Sequence, residues 1–444
     1  MSSIPEVCHA MKVVFEREAP TLGRAAGLRE RGISHVKLAY LFVLGWWHKP
    51  TAGPSALARF AKSLGVKMRK QDVDAHWTEQ TATFLLALLR RAVQVLLCAD
   101  PVSLPMLRQF RAVLLEDGST LNLPQALAPI WRGSGGNPSK DGRAVAHAAR
   151  LKITVRYDLL AGSLDGPHLQ EGKSHELSSL LQAHPVAEGA LWIADLGYWS
   201  LKWLRSVVRG RAYFLMRYKE AIWLWGQSGR LDVLNIVPAG VGERRELLVD
   251  VGADRVLRGV RLLIERVPEE VAIKRQERLR EDARVHQKPV SQRSMQMAHW
   301  TLVVTNVPAC MLSFEQVFAL LRARWQIELL FKVWKQHALI DEWTGTKPFR
   351  VLCEVYAKLL AVVLQHWFVL LSAWDDPHRS LPGVCEVLRD QVPVLVHGLM
   401  KRIPLRRAVR LVIENVSPAC SIPARSTRPS TSRLLQGALE PSLT

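Results

Sequence analysis

Cysteine is sparse and unpatterned in this chain. Cys8, Cys98, Cys310, Cys353, Cys385 and Cys420 fall at intervals that fit no metal-ligand spacing, so they read as reduced, mostly buried thiols of a cytoplasmic protein and nothing suggests a zinc site. The opening Met1-Ser-Ser-Ile-Pro5 lacks a basic region followed by an apolar core, so no secretory signal is expected. Long apolar runs are missing too: the most membrane-like stretch, Leu359 to Trp374, is about 16 residues against the roughly 20 that a span needs, and it carries Gln365 and His366. It reads as a core helix. A Walker A pattern is absent, which removes a nucleoside triphosphate site, and no solenoid repeat is found. Acidic residues are also in deficit, with 40 Asp+Glu against 60 Lys+Arg and a formal net charge of +20. Such an excess favours a polyanion through counterion release; DNA, RNA and an anionic membrane surface would all be attracted.

What is present begins with size. A chain of 444 residues with 48% hydrophobic content can bury a large core, in two or three domains. Residues 1 to about 100 read as helical, with Val36 to Trp47, Ser55 to Leu64 and a long run from Asp72 to Leu97. Ser55 to Asp72 fits a helix-turn-helix with Gly65 in the turn and Lys67, Arg69 and Lys70 near the second helix's start, or equally an ordinary helical hairpin. From Leu107 to Tyr218 the pattern turns to strands. Between the first two lies a basic, Gly-rich segment, Trp131 to Arg143, with Arg132, Lys140 and Arg143 able to approach a DNA backbone; a plain surface loop is the alternative.

Carboxylates stand at three telling places. Arg111 to Thr120 is an apolar strand run ending in Asp117 at a Gly-containing turn, and Leu191 to Tyr198 repeats the design with Asp195. Each places an acid at the carboxyl end of a buried strand, the edge where open α/β sheets form ligand crevices. Taken singly, each aspartate also fits a turn or helix-cap residue. The segment Arg322 to Lys335 has no Gly or Pro and reads as one helix, on which spacings of four and seven bring Arg324, Glu328 and Lys335 to one stripe. Trp325, Ile327, Leu329, Leu330 and Trp334 make the rest apolar, so the helix is expected to be largely buried with its charged stripe toward something polar. An ion pair on a solvated face is the plain alternative.

From about Gly65 to Trp374 the sequence resembles the bacterial insertion-sequence transposases of the DDE type, in the group named after insertion sequence four. The first aspartate of that family sits in a phrase like Leu-Leu-Glu-Asp117-Gly-Ser-Thr, and the second in one like Ile-Ala-Asp195-Leu-Gly-Tyr-Trp-Ser. The glutamate belongs to a Tyr-Arg-Glu-Lys signature that Arg324, Glu328 and Lys335 match at the family spacing, while Leu321 stands where the family has tyrosine. Leu151 to Leu160, Ala212 to Tyr218 and Trp300 to Pro308 are further similar phrases. The resemblance implies that Asp117, Asp195 and Glu328 bind two Mg²⁺ ions, or Mn²⁺ in their place, directly through their carboxylate oxygens. Three carboxylates suit a hard cation that keeps positions for water and phosphate, and two such ions assist in-line displacement at a phosphodiester. A phosphate backbone would suit the charged stripe, with Arg324 and Lys335 as its DNA contacts. The resemblance also implies that Trp300, at the head of a strand, stacks on a base extruded from the transposon end; packing into the core is the competing reading.

About 130 residues separate Asp195 from Glu328, far more than the dozen or so a crossover needs, so something is inserted. Strand-like runs at Leu231 to Val237, Glu246 to Val251 and Gly259 to Val267 point to a mainly β insertion, followed by a solvated helix over Lys274 to Arg284. Past Trp374 the chain is basic and Pro-punctuated, and from Pro418 it is expected to be disordered; whether Val384 to Asn415 forms a small domain or a dimer contact is left open. The expected organisation is an α/β protein: a helical DNA-binding domain over 1–105, a ribonuclease H-like catalytic domain over 106–375 with its insertion at about 220–298, and a basic region over 376–444. The expected activity is transposition by a nucleoid-associated, cytoplasmic enzyme. It would bind terminal inverted repeats, cut there, and join 3′-hydroxyls to target DNA as a homodimer on two ends, with no membrane partner. A catalytically silent DNA-binding relative and a ribonuclease H-like nuclease or resolvase are the rivals.

Overall fold

Helices come first. α1 (Ile4–Lys12) opens with Pro5 in its first turn and the Ser3 N–H donating to Glu6 Oε2 at 2.7 Å. It continues through a π-helical stretch, Val13–Glu18, into α2 (Ala19–Ala25). α3 (His35–His48) is capped by Ser34 and buried almost throughout. α4 (Pro54–Ser63) and α5 (Lys70–Ala75) are joined through Gly65, whose φ of +66° needs a residue without a Cβ. The second helix of the expected helix-turn-helix is thus only six residues long. α6 (Glu79–Val93) starts afresh because the Thr78 hydroxyl accepts the Thr81 N–H, so the run expected from Asp72 to Leu97 is two helices. The computed structural model describes residues 3–133, 148–175, 178–285, 287, 289–374, 376, 380–416 and 435. Most of the Gly-rich segment before Arg143, Cys420 and nearly all of the tail from Pro418 lie outside these.

α7 (Pro105–Arg108) leads into β1 (Val113–Leu123). The strand does not end at Asp117 as expected: Gly118, Ser119 and Thr120 stay extended, held in the ladder beside β2 (Ala149–Asp158), which pairs antiparallel with β3 (Leu164–Glu171). β4 (Leu191–Ala194), α8 (Leu201–Arg209) and β5 (Tyr213–Arg217) follow. The next segment holds β6 (Leu224–Gly226), β7 (Gly229–Leu231), β8 (Arg244–Val251) and β9 (Leu257–Arg266). The strand expected over Leu231 to Val237 is instead a 3₁₀ turn, Val233–Asn235, because the Asp232 carboxylate accepts the Leu234 N–H and closes it. α9 (Glu269–Val285), mostly exposed as its mixed charges suggest, α10 (Gln292–Met297) and β10 (Trp300–Thr305) come next. α11 (Phe314–Ala323) and α12 (Trp325–Ala338) meet at Arg324, so the segment expected as one helix is two. The chain closes with α13 (Pro348–Ser372), α14 (Leu381–Asp390), α15 (Val392–Leu399) and α16 (Leu405–Val416).

Two interleaved units emerge. The first holds the described residues of Met1–Val102, Asp117–Leu181 and Gln326–Thr427. Its centre is α13, the one described helix long and apolar enough to cross a membrane by length and composition, with 94% of its most apolar window buried in the protein. A helix apolar all round must be covered on all sides, and α3, α6, α14 and α16 supply the cover. The Trp131 indole N–H donates to the Tyr356 hydroxyl of α13 at 2.7 Å. α14 and α16 pack against this centre, and α15 packs on α16 and α3.

The second unit holds Ser103–Glu116 and Gln182–Trp325. From the first half of β1 its strand order is β4, β5, β10, β9, β8, β6, β7, parallel through β1–β4–β5 and antiparallel beyond. Trp192, Phe214, Leu262 and Val304 lie fully buried in its core.

Candidate active site

Along the parallel pair β1–β4 the register sets Leu115 opposite Ile193 and Glu116 opposite Ala194. The next residue of each chain segment is an aspartate, Asp117 and Asp195. Side chains alternate along a strand, so Glu116 and Asp117 point to opposite faces. Glu116 goes inward and is fully buried, its Oε2 accepting the Trp192 indole N–H at 2.9 Å and its Oε1 the Gln182 amide at 2.8 Å. Asp117 is half-buried, with Oδ1 accepting the Gly118 N–H at 2.8 Å. Asp195 is also half-buried; its backbone carbonyl accepts from Tyr198, and no described residue caps the helical turn through its carboxylate.

Glu328 and Lys335 lie on α12. Glu328 is half-buried, and the Lys335 ammonium reaches β1 to donate to the Thr120 carbonyl at 3.4 Å. Ile327, Leu330 and Trp334 are buried as expected, but Trp325 is 56% exposed: the joint at Arg324 resets the helix, and this ring falls outside the apolar face. Leu321, at the family's tyrosine position, is buried on α11.

Behind α12 a buried pair fixes the turn that follows it. Lys358 Nζ donates to Glu354 Oε1 at 2.8 Å and to the carbonyls of Glu342 at 2.8 Å and Leu339 at 3.1 Å, while Glu354 Oε2 accepts the Thr344 N–H at 3.2 Å. Both side chains are essentially inaccessible, yet every charge has partners, which is what a buried ion pair requires.

Trp300 heads β10 and is half-buried. Its indole N–H donates to the Pro238 carbonyl at 2.8 Å, and the Arg275 guanidinium donates to its carbonyl at 3.0 Å. The ring packs against the core and lines an open cleft of about 350 Å³ with Gln276, Gln292, Met295 and His299, and the Arg266 guanidinium lies over it, 5.7 Å from the ring centroid.

A family model described as a transposase DDE domain matches residues 108–364. The chain belongs to the DDE transposases. It is similar to the transposase for insertion sequence element IS231B of Bacillus thuringiensis subsp. berliner, 27% identical over 390 residues that span 81% of this chain and 78% of that protein. The transposase for IS231F of Bacillus thuringiensis subsp. israelensis is 26% identical over 360 residues, 76% of this chain and 73% of the other. The transposase for IS1151 of Clostridium perfringens is 26% identical over 283 residues, 59% and 58%. This protein is accordingly an insertion-sequence transposase, an enzyme of DNA cleavage and transfer.

All six residues singled out in the sequence fall within the matched stretch. Asp117, Glu328 and Lys335 belong to the first unit of the transposase, and Asp195, Arg324 and Trp300 to the second. Among the described residues no group of three or more His, Cys, Asp and Glu side chains is gathered as one that would hold a metal ion. The donor chemistry nonetheless fits the divalent ions that DDE transposases use, since hard cations take carboxylate oxygen and all three residues offer it. Sequence reasoning missed Glu116. Its only local signal is its place beside Asp117, because its partners come from β4 and from residue 182, far along the chain.

Proposed function

We propose that Asp117, Asp195 and Glu328 are the metal ligands of this transposase, and that it binds the terminal inverted repeats of its element, cuts there and joins the 3′-hydroxyls to target DNA. One observation carries the reading: in the parallel pair β1–β4 the register runs in step to the residue before each aspartate. Lys335 adds a second anchor by tying α12 to β1 at Thr120.

Two Mg²⁺ ions, or Mn²⁺, would activate the attacking water or 3′-hydroxyl and neutralise the leaving oxygen. Arg324 and Lys335 would each contact a phosphate of the DNA. Trp300 would stack on an extruded base in place of the Arg266 guanidinium that lies over its ring, with the cleft beside it as the receiving space. The antiparallel β2–β3 pair, the parallel β1–β4–β5 core and the β6–β9 insertion ahead of β10 support a ribonuclease H-like catalytic domain. The helical segment up to residue 105 would serve end binding, and a homodimer in the cytoplasm would hold two ends.

The test is substitution of each acid. Asp117→Asn, Asp195→Asn and Glu328→Gln should each abolish nicking of an element-end duplex while end binding in EDTA stays within about twofold, since only metal ligands are lost. Manganese titration followed by electron paramagnetic resonance should show loss of bound ion in each. A variant that cleaves like the parent removes that residue from the ligand set.

A further inference from the structure

We propose that the β6–β7 hairpin carries a second DNA-docking face, in which Trp223 and Trp225 hold Arg230 and Arg255 ready for backbone phosphates. The inference needs no metal site and goes beyond the six residues discussed above. Alternation along β6 turns Leu224 into the core and both tryptophans outward. The hairpin closes through Gly226 and Gly229, the latter at a φ of +122° that only glycine adopts easily, and this sets Arg230 directly across from Trp225. The Arg230 guanidinium carbon lies 4.1 Å from the Trp223 ring centroid, and that of Arg255 lies 4.8 Å from Trp225. The two rings are 6.1 Å apart. The Trp225 indole N–H donates to the Gly252 carbonyl at 2.9 Å, tying the inner ring to the turn that presents Arg255. Arg255 is held there at a φ of +49°, costly for a residue with a side chain.

Both guanidiniums are exposed, and neither makes a hydrogen bond or ion pair with a described residue. Among the acids nearby, Glu220 and Asp232 bind Arg293 and Asp250 accepts the Gly259 N–H, while Asp254 is exposed beside Arg255 in the turn. Trp223 remains 42% exposed on a hairpin at the sheet edge. A guanidinium stacked by its face keeps its N–H edge free, and the stacking removes much of the rotamer freedom that binding would otherwise cost. Planar donors in that pose match phosphate oxygens two at a time. The ring faces are taken by guanidinium, so the surface fits a sugar-phosphate backbone better than unpaired bases. The DNA that a transposase works on presents such a backbone.

The experiment measures binding of the full chain to an element-end duplex and to an unrelated duplex, by fluorescence anisotropy in EDTA from 50 to 300 mM salt. Arg230→Gln with Arg255→Gln should lower the slope of log K against log salt by about two on both duplexes, one unit per phosphate. Arg230→Lys with Arg255→Lys should restore most of the slope, since the charges return. Trp223→Leu should weaken binding several-fold at an unchanged slope, because the charges remain and only their pose is lost. A parental slope in the folded Gln pair, checked by its melting temperature, overturns the proposal and leaves the stacks as hairpin packing. If the Gln pair does not fold, Trp223→Leu decides, and parental affinity in that folded variant overturns the proposal. Asp117→Asn should keep the parental slope throughout, so failure of the metal-ligand reading would show in cleavage and not here.

Discussion

His366 shows what burial does to one titratable group. It sits within α13, its Nε2–H donating to the Gly162 carbonyl at 2.7 Å, and burial drives its pKa down to about 4 despite that hydrogen bond. The imidazole is therefore neutral in the folded protein, while in the unfolded chain it titrates near 6.5. Its contribution is complete above about pH 6.5 and declines as pH falls toward 4, since the unfolded state gains the proton first. Denaturant melts at pH 7 and pH 5 should show His366→Gln losing about 2 kcal/mol less than the parent over that interval. Equal losses would mean that His366 charges in place. Trp300 is a second residue-scale case, because its ring faces both core and cleft. Stacking on an extruded base predicts that Trp300→Ala slows a step after first-strand nicking and that an abasic nucleotide at the extruded position restores the rate. Packing alone predicts a loss of about 3–5 kcal/mol with every step slowed alike and no rescue.

Elements differ in how far the sequence foretold them. α13, α9 and β10 were legible because apolar content, mixed charge and a short β-branched run are local signals that the fold obeys. Asp117 was expected at a strand end because Gly118 looks like a turn; only a ladder to β2, made by residues far along the chain, keeps that glycine extended. The same limit hid the break at Arg324 and the burial of Glu116. The candidate ligands were readable as motif residues, whereas the step-matched register that gives them meaning is a property of paired strands. One element also rests on distant support: the turn after α12 is held by Lys358 and Glu354 of α13. Lys358→Met should cost about 3–5 kcal/mol, since it strands a buried carboxylate and two carbonyls. Thermal melts will measure it, and amide exchange at residues 339–344 should quicken. A shift of less than a degree would deny the clamp.

At the scale of the molecule, the unit built on α13 draws on the first hundred residues, the middle and the end of the chain. α3 and α6 cover α13 directly. Deleting residues 1–102 should therefore expose a long apolar helix and give insoluble protein, whatever DNA-binding role those residues hold. Recovery of a soluble, cooperatively melting fragment over 103–444 would show instead that the N-terminal helices are dispensable cover.

The Glu354–Lys358 pair also restricts the routes by which this sequence can drift. Losing either member first leaves an inaccessible charge without its counterpart, so each one-step neighbour is a valley, while a paired exchange to two apolar side chains avoids the stranded charge. The two positions should therefore change together or not at all among transposases that share this helix. A lineage holding one without the other should carry a compensating change at the turn the lysine now closes.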